Sequence, residues 1–274
     1  MVSNTTTAKP VNDEPQRIVV LGAAVAETAM ALGASARIVG VDSTSAGIIQ
    51  GREVPDLGFY RRLSAVGILS VAPDLVLATH DSGPPPIFTQ LEQARVRVVR
   101  LPQVASPASA VEQIEHIATA IGRVSEGQKL IERIEHQLKI LHEKRTSLAE
   151  KPRMLFIYAR GPGALLVGGS KTSADAMIAL VGGTNVAGAF EGFKPLSPEA
   201  LLANPPQVLL MTQHGLDAMG GTNGLRQHAI LSKTPAVREE RIHAQPAREL
   251  LSFGPDFAAR ALALLNKISK SSDG

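Results

Sequence analysis

The sequence predicts an α/β protein in which two Rossmann-like lobes are joined by a single long bridging helix. Three observations predict this fold: apolar β-branched runs alternate with helical patterns in both halves, an internal repeat relates the halves, and a long helical pattern separates them. We expect an N-terminal tail at residues 1–14, a first lobe at 15–124, the bridging helix at 125–150 and a second lobe at 151–274.

The first lobe alternates short apolar strands with helices, a pattern that favours a parallel sheet. Gly33 ends the first helix and Pro73 closes the second. The strands are expected at residues 17–21, 37–41, 74–78 and 96–101, and the helices at 26–32, 64–71 and 87–94. Between the second strand and the second helix, residues 42–62 form a long irregular segment rich in Gly, Pro and Ser.

The bridging helix is preceded by a shorter helix that opens at Ser106, a capping residue followed by proline at the first helical position. Its own pattern keeps Leu130, Ile134 and Leu141 at helical spacing. At 1.5 Å per residue the predicted helix spans roughly 35 Å. The second lobe is predicted to contain strands at 153–159 and 207–211 and helices at 173–180 and 255–269.

The composition excludes several classes of protein. Hydrophobic residues make up 44% and charged residues 19% of the chain, and no apolar run reaches the about 18 residues that a membrane span needs. The absence of cysteine excludes disulfides, thiolate metal sites and cysteine nucleophiles. The formal charge of +3 is spread along the chain without a basic block, so we expect no nucleic-acid partner.

An internal repeat relates residues 63–79 to residues 196–212, which align without a gap over 17 positions. A second pair, 26–32 and 174–180, occurs in the same order. The two pairs indicate two copies of one α/β unit. The first lobe carries 15 extra residues between its two repeated segments, in a stretch that includes Tyr60. An insertion at the mouth of a cleft between lobes is a common place for ligand chemistry, although a drifted loop is the other interpretation.

The segment PDLGFYRRLSAVGILSVAPDLVLAT, followed by SGPPP, resembles the motif of periplasmic haem-binding proteins of bacterial ABC importers. Weaker similarity runs from about residue 16 to 268 and is shared with cobalamin-binding and siderophore-binding relatives; its segments are VDSTS, SADAMIALVGGTNVA, LSPEALLANPP, GLDAMGGTNGL and LLSFGP. The resemblance implies two α/β lobes with a ligand cleft between them, which holds ferric haem. It also implies a monomeric, non-enzymatic protein of the periplasm that delivers haem to an ABC permease dimer of the inner membrane.

The resemblance implies that Tyr60 is the axial ligand of the haem iron. Ferric iron is a hard cation and phenolate a hard anionic donor, and tyrosine ligates haem in catalase. Arg62 matches the family arginine that hydrogen-bonds the phenol oxygen, and Arg61 is expected to face a haem propionate. The opposite assignment of the two arginines stays open. The alternatives are a loop tyrosine packed on Phe59 and a solvated pair of arginines.

The resemblance also implies a contact with the permease through one glutamate in each lobe. Glu199 matches the glutamate of the second lobe, on a helix start capped by Ser197. Val66 stands where the first lobe of relatives has the other glutamate, so we do not expect symmetric docking. Asp256 stands where many relatives have an arginine, which removes one candidate propionate contact.

His80, His214 and Met219 are further candidates for the cleft or for the sixth iron ligand, although solvated or packed loop residues are the ordinary interpretation. The polar residues 1–14 are typical of a mature N terminus, so we expect the signal peptide to be absent from this chain. Two other functions stay open: a cobalamin or ferric-siderophore carrier, and a cytosolic α/β enzyme. The chain lacks the G-x-G-x-x-G, P-loop and G-x-S-x-G motifs that would favour an enzyme.

Overall fold

The computed structural model describes residues 14–49, 51–104, 106–148, 150–161, 163 and 165–270. Within this part the chain forms two sheets, each covered by helices, and the predicted two-lobed α/β fold is confirmed. Apart from Glu14, the predicted N-terminal tail lies outside the described residues. No helix in the described ranges combines the length and the apolar character that crossing a membrane requires.

The first-lobe sheet has four parallel strands in the order β2-β1-β3-β4. Its strands are β1 (Ile18–Leu21), β2 (Ile38–Val41), β3 (Leu75–Ala78) and β4 (Arg97–Arg100). The connecting helices are α1 (Ala23–Ala31), α2 (Ala65–Leu69) and α3 (Pro86–Gln93). Every residue of the adjacent strands β1 and β3 is buried, as expected for parallel strands covered on both faces.

Two consecutive helices, α4 (Pro107–Ala120) and α5 (Val124–Thr146), connect the lobes. Helix α5 is the predicted bridging helix, and it buries Leu130, Ile134 and Leu141. It ends at Thr146, four residues before the predicted boundary at residue 150. The Thr146 hydroxyl donates to the carbonyl oxygens of His142 and Glu143 and so provides partners for carbonyls of the last helical turn. The predicted lobe boundaries stay predictions.

The second-lobe sheet is mixed, in the order β10-β9-β5-β6-β8, and β7 also pairs with β5. Its strands are β5 (Arg153–Ala159), β6 (Leu165–Gly168), β7 (Thr184–Asn185), β8 (Phe193–Pro195), β9 (Val208–Thr212) and β10 (Ile242–Gln245). Strands β6 and β8 run antiparallel to their neighbours. The helices are α6 (Ser173–Leu180), α7 (Pro198–Ala203), α8 (Gln213–Ala218), α9 (Gly221–Gln227), α10 (Pro235–Arg238), α11 (Ala247–Leu251) and α12 (Phe257–Lys270).

The internal repeat is visible in the two sheets. Strands β7, β5, β9 and β10 pair in the same order and direction as β2, β1, β3 and β4. Helices α2 and α7 occupy equivalent places, and each begins with a serine whose hydroxyl accepts from a backbone N–H: Ser64 from Gly67, and Ser197 from Ala200. The antiparallel strands β6 and β8 are the addition that distinguishes the second lobe.

The two lobes share one apolar core around the connecting helices. Its buried residues include Ala29 of α1, Ile117 of α4, Ile134 of α5, Ile178 of α6 and Leu264 of α12. A second core lies within the second lobe, between the sheet and helices α7 to α10, and a third lies within the first lobe around α2 and α3. The shared core makes the connecting helices a structural part of both lobes.

Candidate functional site

An ion pair joins helix α1 of the first lobe to helix α12 of the second. Arg260 of α12 donates to Glu27 of α1 at 3.3 Å, and Gly254 packs directly against the same glutamate. Helix α1 follows the end of β1, and Gly254 lies in the chain beyond β10. Helices of both lobes therefore meet here. The ligands of α/β proteins bind at the carboxyl edge of the sheet, which is formed by the loops that follow the strands.

The irregular segment after β2 is held at this edge by a buried carboxylate. Asp42 is fully buried and accepts from the Gly22 N–H at 2.8 Å and from the hydroxyls of Thr44 and Ser45. Further along, residues 55–57 pair with the end of β2: the N–H of Leu57 donates to Val41 O at 2.8 Å. These bonds fix both ends of the segment that leads to Tyr60.

The Tyr60 loop is tied to the loop that follows β3. The N–H of Gly83 donates to Tyr60 O at 2.8 Å, and the N–H of Leu63 donates to Gly83 O at 3.0 Å. Within the loop, the N–H of Arg62 donates to Phe59 O at 2.7 Å. Two segments far apart in sequence are thus joined into one platform, made of residues 59–63 and 79–83.

The Tyr60 side chain is half-buried in this platform. Its ring packs against the exposed Phe59 ring with centroids 4.7 Å apart, and the Arg61 guanidinium carbon lies 5.3 Å from the Tyr60 ring centre. The phenol donates a long hydrogen bond of 3.5 Å to Asp81 Oδ2. Burial, followed by the negative charge of Asp81, raises the pKa of Tyr60 above its usual value, while Arg61 opposes this shift.

Asp81 is a site residue that the sequence analysis did not single out. Its Oδ2 accepts from both Nε (3.1 Å) and Nη2 of Arg61, and its Oδ1 accepts from the Thr79 hydroxyl at 3.1 Å. Burial alone would raise the pKa of Asp81, but the hydrogen bond and charge of Arg61 hold it below its usual value. Its position just beyond a buried strand, at the edge where polar loops meet, was the available signal.

Neither Arg62, two residues along the chain from Tyr60, nor His80, next to Asp81, is hydrogen-bonded to the Tyr60 phenol among the described contacts. The Arg62 side chain is exposed and has no hydrogen-bond or ion-pair partner within the described ranges. His80 is also exposed, and its Nδ1 lies 3.8 Å from Asp81 Oδ1. The structure therefore brings Tyr60, Arg61 and His80 around Asp81, while the predicted hydrogen bond from Arg62 to the phenol is not present.

The second-lobe candidates have different environments. His214 is exposed on α8, so it belongs to a helix rather than a loop. Met219 is only 5% exposed and packs in the second-lobe core, which removes it from the residues that can contact a ligand in this conformation. Tyr158 lies near the carboxyl end of β5, packed on the shared core, with the Arg160 guanidinium carbon 5.5 Å from its ring centre.

Glu199 and Val66, which occupy the two positions considered for permease docking, are both on the surface. Glu199 is exposed, and a backbone hydrogen bond and the Ser197 hydroxyl, which donates to it at 2.9 Å, lower its pKa. Val66, at the equivalent place on α2, is 79% exposed. Asp256, which replaces an arginine of many relatives, pairs with Arg133 of the bridging helix at 3.1 Å.

A cavity of about 580 Å³ lies beside the segment after β2, and its lining includes Val41, Ser45 and Arg52 but not Tyr60. Among the residues with described positions, no group of three or more His, Cys, Asp or Glu side chains could hold a metal ion. The platform is an open surface whose chemistry suits a large planar ligand: an exposed aromatic ring, a phenol oxygen and a guanidinium.

Residues 18–249 match the periplasmic binding protein family over most of the chain. The chain belongs to this family. The fold is similar to that of the periplasmic heme-binding protein BhuT in complex with two hemes, with a TM-score of 0.88 and 35% identity over 93% of this chain and 98% of BhuT. The predicted family resemblance is thereby confirmed.

Two further proteins are similar to this chain. The periplasmic heme-binding protein RhuT from Roseiflexus sp. RS-1, in apo form, superimposes with a TM-score of 0.87 and 34% identity, covering 94% of this chain and 99% of RhuT. The vitamin B12-binding protein of Vibrio cholerae serotype O1 is 23% identical over 239 residues, 86% of this chain and 82% of that protein.

Proposed function

We propose that this periplasmic binding protein captures ferric haem and delivers it to an ABC permease dimer of the inner membrane. The observation that carries the proposal is the half-buried Tyr60 phenol, packed against Phe59 and Arg61 on an open platform at the carboxyl edge of the first lobe. Similarity to the heme-binding proteins BhuT and RhuT supports it.

The residues around Tyr60 suit each part of a haem molecule. The Tyr60 phenol oxygen, whose hydrogen bond to Asp81 is long at 3.5 Å, can give up its proton and bind ferric iron as phenolate. The exposed Phe59 ring offers apolar surface to the porphyrin plane. Arg61 and Arg62, both exposed, can pair with the propionates, since a guanidinium matches a carboxylate in shape and charge. His80 and His214 remain candidates for the sixth iron position.

The proposal extends to location and partners. The protein acts as a monomer in the periplasm and performs no catalysis. The exposed Glu199, at the capped start of α7, contacts the permease, while Val66 gives the first lobe no equivalent charge. No nucleic acid takes part.

The experiment that tests the proposal is a titration with haemin followed by the Soret band. We expect a ferric haem spectrum that changes strongly in Tyr60→Phe, with affinity lower by about tenfold or more because the anionic iron ligand is lost. Tyr158→Phe is the matched control, since it removes the chain's only other tyrosine, and it should bind like the unmodified protein. Unchanged spectrum and affinity in Tyr60→Phe would contradict the ligand assignment.

A second candidate function is the binding of cobalamin or a ferric siderophore. The similarity to the vitamin B12-binding protein of Vibrio cholerae favours it. These ligands need no axial tyrosine. This function therefore predicts that haemin gives no haem spectrum, and that the protein binds a corrinoid or a siderophore with the same affinity in Tyr60→Phe. The same pair of variants, titrated with cyanocobalamin, separates the two functions.

A further inference from the structure

One carboxylate oxygen holds both of the groups that the proposed haem site needs. Asp81 Oδ2 accepts from Nε of Arg61 at 3.1 Å, from Nη2 of the same guanidinium, and from the Tyr60 hydroxyl at 3.5 Å. Haem would require Tyr60 as the iron ligand and Arg61 as a propionate partner. Asp81 therefore competes with the ligand at two points at once.

Asp81 is the fixed member of this group and Arg61 the mobile one. The Asp81 side chain is 27% exposed, and its other oxygen accepts from the Thr79 hydroxyl, which lies 2.8 Å from Ser82 Oγ. The Arg61 side chain is 57% exposed and has several rotatable bonds. When a second carboxylate arrives, the guanidinium can turn towards it or be shared by both, while Asp81 stays in place.

We propose that Asp81 is an internal placeholder for a haem propionate, which lowers the affinity for haem and speeds its release. This inference rests on the proposed haem function. Before haem binds, the Asp81 carboxylate neutralises Arg61, and once haem is bound it repels the two propionates. Because the ion pair is partly exposed, its effect is modest, about fivefold in affinity. A carrier that must hand over its ligand gains a faster release from such a group.

The test compares Asp81→Asn with the unmodified protein. The affinity is measured by Soret titration with haemin, and the release rate by transfer of haem to excess apomyoglobin. We expect Asp81→Asn to bind haemin about fivefold more tightly and to release it correspondingly more slowly. The matched control is Glu240→Gln, which removes one carboxylate from the exposed ion pair with Arg226 in the second lobe and should leave both values unchanged.

The background variant Arg61→Ala tests whether the effect passes through the guanidinium. With Arg61 absent, Asp81→Asn should still raise haemin affinity, through Tyr60 and the relieved repulsion of the propionates, but by clearly less than in the unmodified protein. A merely structural role for Asp81 would not produce this coupling. Should Asp81→Asn fail to fold, as judged by circular dichroism, Asp81→Ala replaces it in the same comparisons.

Two results would overturn the inference: equal or weaker haemin binding in a folded Asp81 variant, or a gain that persists in full without Arg61. Failure of the haem proposal itself is seen separately, because it would leave Tyr60→Phe with unchanged binding. A protein in which Tyr60→Phe abolishes the haem spectrum and Asp81→Asn has no effect keeps the proposed function and loses only the placeholder.

Discussion

Two neighbouring effects at the Tyr60 phenol favour its protonated form. Half of the ring is withdrawn from solvent, and the Asp81 carboxylate lies within 3.5 Å of the hydroxyl oxygen, so the phenolate would be both poorly solvated and repelled. Arg61 compensates only in part, because its charge is already engaged by Asp81. A ferric iron would supply the positive charge that the site lacks.

The composition of the chain allows the pKa of Tyr60 to be measured separately. It contains two tyrosines and no tryptophan, so Tyr158→Phe leaves Tyr60 as the only source of the tyrosinate absorbance in the ultraviolet. Without haem, we expect Tyr60 to ionise above the usual pKa of about 10, and the denatured protein to ionise near 10. An ionisation of folded Tyr60 at or below pH 10 would contradict the placement of Asp81.

The same shift fixes the sign of a pH effect on stability. The pKa of Tyr60 is higher in the folded than in the unfolded chain, so its contribution favours folding up to a pH of about 10. That contribution is lost as the pH rises through the folded pKa.

The sequence predicts Tyr60 and Arg61 as site residues because they occupy a contiguous motif, but it does not predict that Asp81 lies beside them. The contact between residues 60 and 81 depends on how two loops are brought together by Leu63 and Gly83, and no periodicity encodes it. Met219 was a candidate because it lies in a glycine-rich loop, yet its apolar side chain turns into the second-lobe core.

At the scale of elements, the turn from β1 into α1 is a tight point at the carboxyl edge of the first-lobe sheet. Gly22 has a φ of 114°, its N–H donates to the buried Asp42 carboxylate, and a side chain there would meet Thr79 Cγ2 at 2.5 Å. The turn therefore combines a backbone conformation that favours glycine with a lack of space.

Gly22→Ala should destabilise the protein by about 3 kcal/mol, because it adds overpacking to backbone strain. Gly33→Ala is the matched control: its φ is also positive, at 80°, but nothing lies within 4 Å of the added carbon, so the expected loss is about 1 kcal/mol. Urea unfolding of both variants measures the difference. Equal losses would show that space at Gly22 is not limiting.

The elements that the sequence predicted are those with strong apolar patterns, such as β1, β3, β5 and α5. The elements it missed are short or exposed: β7 has two residues, β8 has three, and all three residues of β8 are exposed. Strand β8 even contains Pro195, which its edge position tolerates. Such segments become strands because a neighbouring strand pairs with them, β5 with β7 and β6 with β8, and their own composition gives no signal.

At the scale of the whole molecule, the relation of the lobes depends on the shared core and on the ion pair between Glu27 and Arg260. Both side chains are largely buried, with 10% and 20% of their surface exposed. Arg260 also donates to the carbonyl oxygen of Arg248, which extends the contact to α11.

Arg260→Met should lower the free energy of unfolding by about 2 kcal/mol, because it keeps most of the packing and leaves the Glu27 carboxylate buried without its partner. Arg133→Met is the control, since its ion pair with Asp256 is about half exposed at 52% and 54% and should contribute less than about 0.5 kcal/mol. Denaturant unfolding of both variants provides the comparison. Similar losses would argue against a special role of the contact between the lobes.

The duplication was predictable because the repeated segments retain their caps and their apolar spacing, as Ser64 and Ser197 illustrate. How far the lobes share a core was not predictable, since it depends on contacts between helices separated by more than a hundred residues, such as α1 and α12.

The two lobes are copies of one unit, but the difference between Val66 and Glu199 makes their surfaces unequal. A partner with two-fold symmetry would contact an exposed charged side chain on one lobe and an exposed apolar side chain on the other. Rotating the carrier by half a turn on such a partner would therefore yield two arrangements of unequal free energy, and one orientation would dominate the docked population.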